Sequence, residues 1–579
     1  MNDRTAKTMN NRHSFFRPAL TSLALMMACA MPARADERES LESLRQTTRA
    51  LIDALVEQGV LSREKADALV RAAEQKAQAA VAANPAPKPN VTADGKPVLR
   101  VPYVPESVRA QIRDEVKEEV VAQARAERWG VPNAPAWVNN IKIDGDIRLR
   151  YQHDSQSGNN TPASTYVIAE VQNSNGISRA PDFASYAVND ASELLPTTDT
   201  QSSRTRERLR LRLGLTAKVT DEVGVGVRLA TGNATDRVST NQTMGQNFNK
   251  YQLFVDRAFV RLDPAEWVSI QGGRIPNPWF STEMTWSENL NFEGLATSFR
   301  RPVVDDGFAP FLTVGYFPMR EATPPTRNSR AMWGAQLGAA MELDSRTRLK
   351  FGLAYYQYNN VEGRSESDYT VLSNGISSGL KYGRYEYPVG LRQRGNTVFE
   401  TNPLLTFSSD VIKPTWGLAY RFKPLVLTAS AEFTHFNPFN ILVAAEYANN
   451  TAFSLSDFRR RTDPAFYGNV NPGGRRDGYQ LKFAVGALDV RDANDWQVQL
   501  SYRHVGSDAV LDAFTDSDLG LGGTNIRGYT LGLNYGLDRN TALGMRYMAA
   551  ENIDTPLNSN YPNASFKVNT LMVDLNVRF

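Results

Sequence analysis

The chain has a single cysteine, Cys29, among 579 residues. This excludes an internal disulfide and any Cys-X-X-Cys zinc or redox motif. Histidine is almost as scarce. Four residues are present, and His153, His435 and His504 lie too far apart to suggest a metal site. Beyond the N-terminus no apolar run approaches the roughly 20 residues that a membrane helix needs. Charge of one sign is also lacking: 65 basic and 62 acidic residues leave a net +3. The basic residues alternate with apolar ones along extended segments and form no helical patch, so no nucleic-acid surface is indicated. The Gly272-Gly273 pair runs into Arg274 without the Lys and Ser/Thr of a phosphate-cradling loop. A hydrolase needs a nucleophile beside a histidine. Ser430 with His435, and Ser501 with His504, are the nearest approach, a spacing that chance supplies in a chain of this size. No enzyme activity, cofactor or metal is expected.

What is present is a period of two. In Lys567 to Phe579, Leu571, Val573, Leu575, Val577 and Phe579 share one face, and Met572, Asp574, Asn576 and Arg578 the other. Such alternation predicts a strand with one apolar and one polar side. A sandwich would turn the apolar side to a core, and a membrane barrel would turn it to lipid. The pattern recurs at 141–151. There Ile141, Ile143, Ile147, Leu149 and Tyr151 alternate with Lys142, Asp144, Asp146, Arg148 and Arg150. It returns at 206–215, where Arg206, Arg208, Arg210 and Arg212 alternate with Glu207, Leu209, Leu211 and Leu213. Five charges on one face of one strand are too many for a dry core and suit a water-filled lumen.

The N-terminal part reads differently. Residues 1–35 are predicted to be a signal peptide: Arg4, Lys7, Arg12 and Arg17, then an apolar run to Ala30, then Ala33-Arg34-Ala35, with cleavage before Asp36. Lipidation at Cys29 is the lesser alternative, because Met26-Met27-Ala28 is a poor lipobox. Residues 36–80 predict a helical hairpin, with Leu41, Leu44, Thr48, Leu51 and Leu55 as a stripe broken by Gly59. Residues 81–105 read as an Ala/Pro/Asn linker. Residues 106–130 predict an amphipathic helix whose narrow stripe of Val108, Ile112, Val116 and Val120 suits a coiled coil joining subunits, or a lone helix across the pore mouth. The segment 36–130 is short of core and is a candidate docking module for a periplasmic partner or for tethering the envelope.

From residue 139 to 579 the expectation is an all-β domain, a 16-stranded antiparallel transmembrane β-barrel. The other strands are predicted at 222–231, 253–263, 267–274, 289–299, 310–318, 332–343, 347–358, 413–423, 425–436, 478–489, 495–505, 525–537, 540–552 and 568–579. Short links such as Asp344-Ser345, Lys423-Pro424 and Asp538-Arg539 alternate with long ones such as 152–205, 359–412 and 437–477. Structureless loops this long argue against a compact soluble domain, whereas porins alternate short turns with long loops. Sixteen strands place both ends of the mature chain on the periplasmic side. Tyr151, Trp267, Trp333, Tyr355, Trp416, Tyr420, Phe436, Trp496, Tyr535 and Phe579 are expected in interfacial belts.

The export segment, the helical segment, the IDGDIRLR opening and the terminal Arg578-Phe579 together resemble the proteobacterial "putative porin" family. The resemblance implies an outer-membrane channel for small hydrophilic solutes, in contact with outer-membrane lipid and assembled as a homotrimer. Leu575, Val577 and Phe579 would be the C-terminal signal read by the barrel assembly machinery. The third outer loop of general porins narrows the lumen. Its counterpart here, Ile275 to Glu288, holds Trp279, Glu283, Trp286 and Glu288 but lacks an obvious match to their acidic signature. For selectivity, Arg148, Arg150, Arg206, Arg208, Arg210 and Arg212, extended by Arg228, Arg257, Arg261 and Arg274, form a candidate basic wall favouring anions. The alternative is a balanced lumen in which Asp144, Asp146 and Asp256 pair with these arginines.

Overall fold

The computed structural model describes residues 140–579 apart from 167–176, 180–185, 189–193, 197–198, 302–306, 323–328, 367–369, 372–376, 379–383, 389, 402–414, 437 and 556–563. The signal peptide, hairpin, linker and amphipathic helix expected from the sequence fall outside the described residues.

Sixteen strands form the wall. They are β1 (Ile141–Gln156), β2 (Arg204–Lys218), β3 (Val223–Ala230), β4 (Phe254–Ala265), β5 (Val268–Pro276), β6 (Asn291–Arg300), β7 (Phe308–Arg320), β8 (Arg330–Asp344), β9 (Thr347–Asn359), β10 (Pro424–Phe433), β11 (Asn440–Asn450), β12 (Asp477–Gly486), β13 (Trp496–Val505), β14 (Ile526–Asp538), β15 (Thr541–Asn552) and β16 (Lys567–Arg578). Each pairs antiparallel with its sequence neighbour, and β1 pairs with β16 to close the ring. Closure removes the free edges that an open sheet would present. β3 is short, and a two-residue piece, Gln242–Thr243, pairs with β2 at Arg208 and Leu209 beyond its end.

The period of two decides which side is which. Along β1, Ile143, Ile147, Leu149 and Tyr151 are exposed on the outside, and Arg150, Gln152 and Asp154 are buried on the inside. Leu213, Val260, Leu295, Leu337, Leu353, Leu427, Leu481, Leu500 and Leu531 continue the outer apolar band. Aromatic residues flank it. Trp267, Phe436, Trp496, Tyr535 and Phe579 are exposed towards the short-turn end, and Tyr316, Trp333, Tyr355, Tyr479 and Tyr529 towards the long-loop end.

Two segments differ from the sequence expectation. Residues 413–423 are not a wall strand. Trp416–Leu418 pairs with Val398–Glu400, which pairs with Ile177–Ser178, in a small separate sheet of the long loops. Trp416 and Tyr420 are therefore buried and belong to no belt. Tyr420 packs with Phe399, Phe458 and Tyr467 in a core made by the loops themselves. The tenth strand starts at Pro424, a position where proline forfeits no ladder bond. The eleventh is Asn440–Asn450, inside what reads as a loop. Its inward Leu442, Ala444 and Ala448 are as apolar as its outward Ile441, Val443 and Ala445, so no alternation is visible.

Candidate functional site

The lumen is built on the pairing of β1 with β2. Arg148 stands opposite Arg210, Arg150 opposite Arg208, Gln152 opposite Arg206 and Asp146 opposite Arg212. Like charges on one rung repel, and carboxylates offset part of this. Asp146 holds Arg210 at 2.7 Å and Arg212 at 2.6 Å. Asp574 of β16 receives Arg150 through Nε at 2.6 Å and Nη2 at 2.8 Å, a forked pair. Asp154 holds Arg206. Arg148 donates to Asn241 Oδ1, and Arg208 to Gln152 Oε1 at 3.2 Å. Neither Arg148 nor Arg208 has an ion pair among the described residues.

Further round the wall, Arg228 is bound to Asp256 at 2.5 Å. Arg257 donates to Asn291 at 2.8 Å, and Arg261 pairs with Asp263 at 2.8 Å. A bulge opposite Arg228 and Leu229 shifts the register here. Arg274 is separate from this group. It is in register with Ala258 and Glu293, next to the exposed Leu295 and Val260, and its ion pair with Glu293 at 2.5 Å lies on the outer face. Asp144 lies opposite Gly214 rather than an arginine.

Residues 277–290, between β5 and β6, fold into the lumen. Two wall side chains anchor them. Gln336 of β8 accepts Phe280 N–H at 2.8 Å and donates to its carbonyl at 2.7 Å. Glu446 of β11, buried, accepts Thr282 N–H at 2.7 Å and Thr285 Oγ1 at 2.6 Å. Trp279 and Trp286 are buried edge-on against Tyr356, with ring centroids 5.2 and 5.1 Å away. These indoles seat the loop, and its carboxylates face the passage. Glu283 lies 3.5 Å from Arg503, while Glu288 is exposed and has no ion pair among the described residues.

A second loop, 506–525 between β13 and β14, enters from the other side. The sequence gives it no such role; Asp516-Ser517-Asp518 reads there as a solvated loop, with a calcium site as the lesser alternative. Its density of Val510, Leu511, Phe514 and Leu519 in a polar surrounding is the signal that could have revealed it. Phe514 O accepts Ser287 N–H at 2.8 Å, and Asp516 N–H donates to Glu283 O at 3.1 Å, so the two loops are joined. Asp518 binds Arg546 at 2.8 Å and Arg150 at 3.4 Å, and Asp516 binds Arg503 at 3.4 Å. Arginines thus occupy the carboxylates that a cation would need. Burial, and then the neighbouring Asp518, push the Asp516 carboxyl up to about 6. Asp518 is also buried, yet Arg150 and Arg546 hold it below the ordinary carboxylate range.

Between the loops and the wall lies a cavity of about 180 Å³. Arg148, Arg210, Lys482, Arg503 and Arg546 line it, as do Glu283, Glu288, Asp516, Asp518 and Asp574. Five cations face five anions around this cavity. Towards the long-loop end the lumen widens into a vestibule of about 680 Å³, bordered by six arginines and three aspartates. Ser501 lines the constriction, whereas His504 stacks outside on Tyr479 at 5.1 Å. His435 bonds Thr347 Oγ1 at 2.8 Å, and no Ser–His pair forms among the described residues.

A family model described as "Putative porin" matches residues 45–579. The chain belongs to this porin family. It is accordingly an outer-membrane transport protein and not an enzyme. No curated protein matches the chain. Among solved structures, this porin is similar to the outer membrane channel DcaP of Acinetobacter baumannii at 9% identity, over 76% of this chain and 97% of that one, with a TM-score of 0.36. It is similar to an anion-selective porin from Comamonas acidovorans at 11% identity, over 76% and 99%, with a TM-score of 0.36. It is similar to OprB of Pseudomonas putida at 9% identity, over 76% and 95%, with a TM-score of 0.40.

Proposed function

We propose that this porin admits small hydrophilic solutes by passive diffusion and favours anions. The observation that carries the preference is the charge balance along the lumen. At the constriction the two signs are equal in number, so the bias arises above it, where six arginines meet three aspartates. Those aspartates are engaged. Asp154 accepts Gln152 and Thr570 at 2.9 Å besides its bond to Arg206, Asp199 accepts Gln201 N–H at 2.7 Å, and Asp236 accepts Val238 N–H at 3.1 Å. A low-dielectric wall of one net sign raises the local concentration of the opposite ion. In this reading the long loops face outwards, both ends of the mature chain are periplasmic, residues 36–130 form the periplasmic helical segment, and the assembly is a homotrimer.

Planar-bilayer recording of the purified protein in a salt gradient tests this. The expected result is a stable conductance whose reversal potential reports anion preference at low salt. Cation preference at low salt would overturn the selectivity and leave the porin assignment standing. Absence of conductance would overturn the diffusion channel itself.

A further inference from the structure

The vestibule contains more than an excess of charge. Arg204, Arg206 and Arg208 follow one another on the inner face of β2, and all three border the vestibule. Arg237, from the loop between β3 and β4, and Arg392, from the loop between β9 and β10, border the same space. The guanidinium groups therefore come from two structurally separate places, the rigid wall and the loops above it.

Their bonding leaves donors unused. Arg206 gives one nitrogen to Asp154, and Arg208 gives one to Gln152. The Nε atoms of both are buried and have no partner. Arg204 has no ion pair among the described residues. Arg237 donates Nη1 to the carbonyl oxygens of Gly390, at 2.7 Å, and Thr235, at 3.3 Å, and it likewise has no ion pair among the described residues. Buried donors without an acceptor are rare in folded proteins and call for an explanation. A guanidinium presents Nε and Nη as a fork that fits the two oxygens of a carboxylate or phosphate. The volume of about 680 Å³ lies within the range of small-molecule sites, roughly 300–1,000 Å³.

We infer that the vestibule is a saturable binding site for a small solute carrying two oxyanion groups, one held by the neighbouring Arg206 and Arg208 on the wall and the other by Arg237 on the loop. A single anion would engage one set and leave the other unpaired. A solute with two such groups satisfies both and crosses the gap between wall and loop. The inference rests on the anion-favouring reading of the lumen and adds a stoichiometric site to it. The channel would then take up such solutes at concentrations too low for simple diffusion to be effective.

The test uses the full-length porin in planar bilayers at constant ionic strength, with pyrophosphate or malonate added on the long-loop side. The expected result is a decrease in chloride current that saturates with concentration, for at least one of the two ligands. Their comparison shows whether phosphate or carboxylate oxygens are preferred. Inorganic phosphate and acetate, with one group each, should need at least about tenfold more. Arg208→Gln and Arg237→Gln should each weaken the block about tenfold, the equivalent of about 1.4 kcal/mol. Arg348→Gln, which alters an arginine paired with Glu342 far from the vestibule, should leave it unchanged. The gel shift of unheated samples confirms that each variant folds. A decrease that stays linear in concentration for both ligands overturns the site, as does wild-type block in both arginine variants. Anion preference without block would remove the site and leave the selectivity. Block in a channel that prefers cations would do the reverse.

Discussion

Glu446 grips Thr282: the carboxylate of one wall strand accepts the amide of the inserted loop at 2.7 Å, inside a site where Glu446 is only 2% exposed. The same carboxylate takes Thr285 Oγ1 and Thr428 Oγ1. Replacing it by alanine leaves three donors without acceptors, each costing about 1–3 kcal/mol when buried. The expected outcome for Glu446→Ala is a folded barrel with a loosened loop, giving larger and noisier single-channel currents. Glu446→Gln, which keeps an acceptor oxygen, should lie between this variant and the parent. Currents identical to the parent in Glu446→Ala would show that the tryptophan seat alone holds the loop.

The wall arginines should not be equivalent. Arg210 shares Asp146 with Arg212, so Arg210→Gln leaves that carboxylate still neutralised. Arg208 has no carboxylate of its own. Arg208→Gln should therefore move the reversal potential towards cation preference more than Arg210→Gln does, and the double variant should move it furthest. The shift should shrink at 1 M salt, where the screening length falls to about 3 Å. An equal shift from the two single variants would contradict the pairing described above.

Acidification should be felt at the constriction. With its carboxyl raised to about 6, Asp516 takes up a proton as pH falls from 7 to 5, which removes one negative charge beside Arg503. Anion preference therefore increases on the acid side of about pH 6, and this increment, not the preference set by the vestibule, is lost as pH rises through it. Asp516→Asn should remove this step and resemble the acid form at pH 7. A reversal potential flat between pH 5 and 7 in the parent channel would refute the assignment.

At the other end of the molecule, Phe579 and Gly145 exchange two backbone hydrogen bonds, at 2.9 and 3.0 Å. A Cβ on Gly145 would lie 2.5 Å from Cζ of the Phe579 ring, so the ring rests where glycine leaves room. Gly145→Val should displace it at a cost of about 1–3 kcal/mol, typical of overpacking. Loss of Phe579 should lower the amount of assembled barrel at the cell surface while leaving ion preference unaltered in the channels that form. Surface levels equal to the parent for both variants would remove the terminal aromatic from any part in assembly.

The strands that could be read in advance are those with unlike faces. In 141–151, 206–215 and 567–579 one side meets water and the other lipid, and alternation is the direct record of that difference. Where the inserted loop covers the wall the record is lost. Leu442, Ala444 and Ala448 face inwards as apolar residues, and Asn440–Asn450 therefore reads as a loop. The opposite error arises at Trp416, Leu418, Tyr420 and Phe422. Their spacing of two is genuine, but Trp416, Leu418 and Phe422 pack into the core between the loops and the inner wall, and Tyr420 into the core made by the loops alone. Arg148 to Arg212 could be placed on adjoining strands from spacing alone. Asp146 and Asp256 could also be named in advance as partners, and they hold Arg210, Arg212 and Arg228. The carboxylates that hold Arg150 could not, because Asp574 and Asp518 come from strand and loop segments far along the chain.

The forked bond between Arg150 and Asp574 joins residues 424 positions apart, across the seam where β1 meets β16. Nothing local in sequence can complete the ring. Contacts of such separation make folding slow, since the connecting chain must be drawn in before they form. Until then β1 and β16 each expose a row of unpaired amides and carbonyls along one side. Delivery of this polypeptide across the periplasm is thus a problem of timing: its two most adhesive margins are the first and the last strands of the barrel, and they must be kept from every other strand until they find each other.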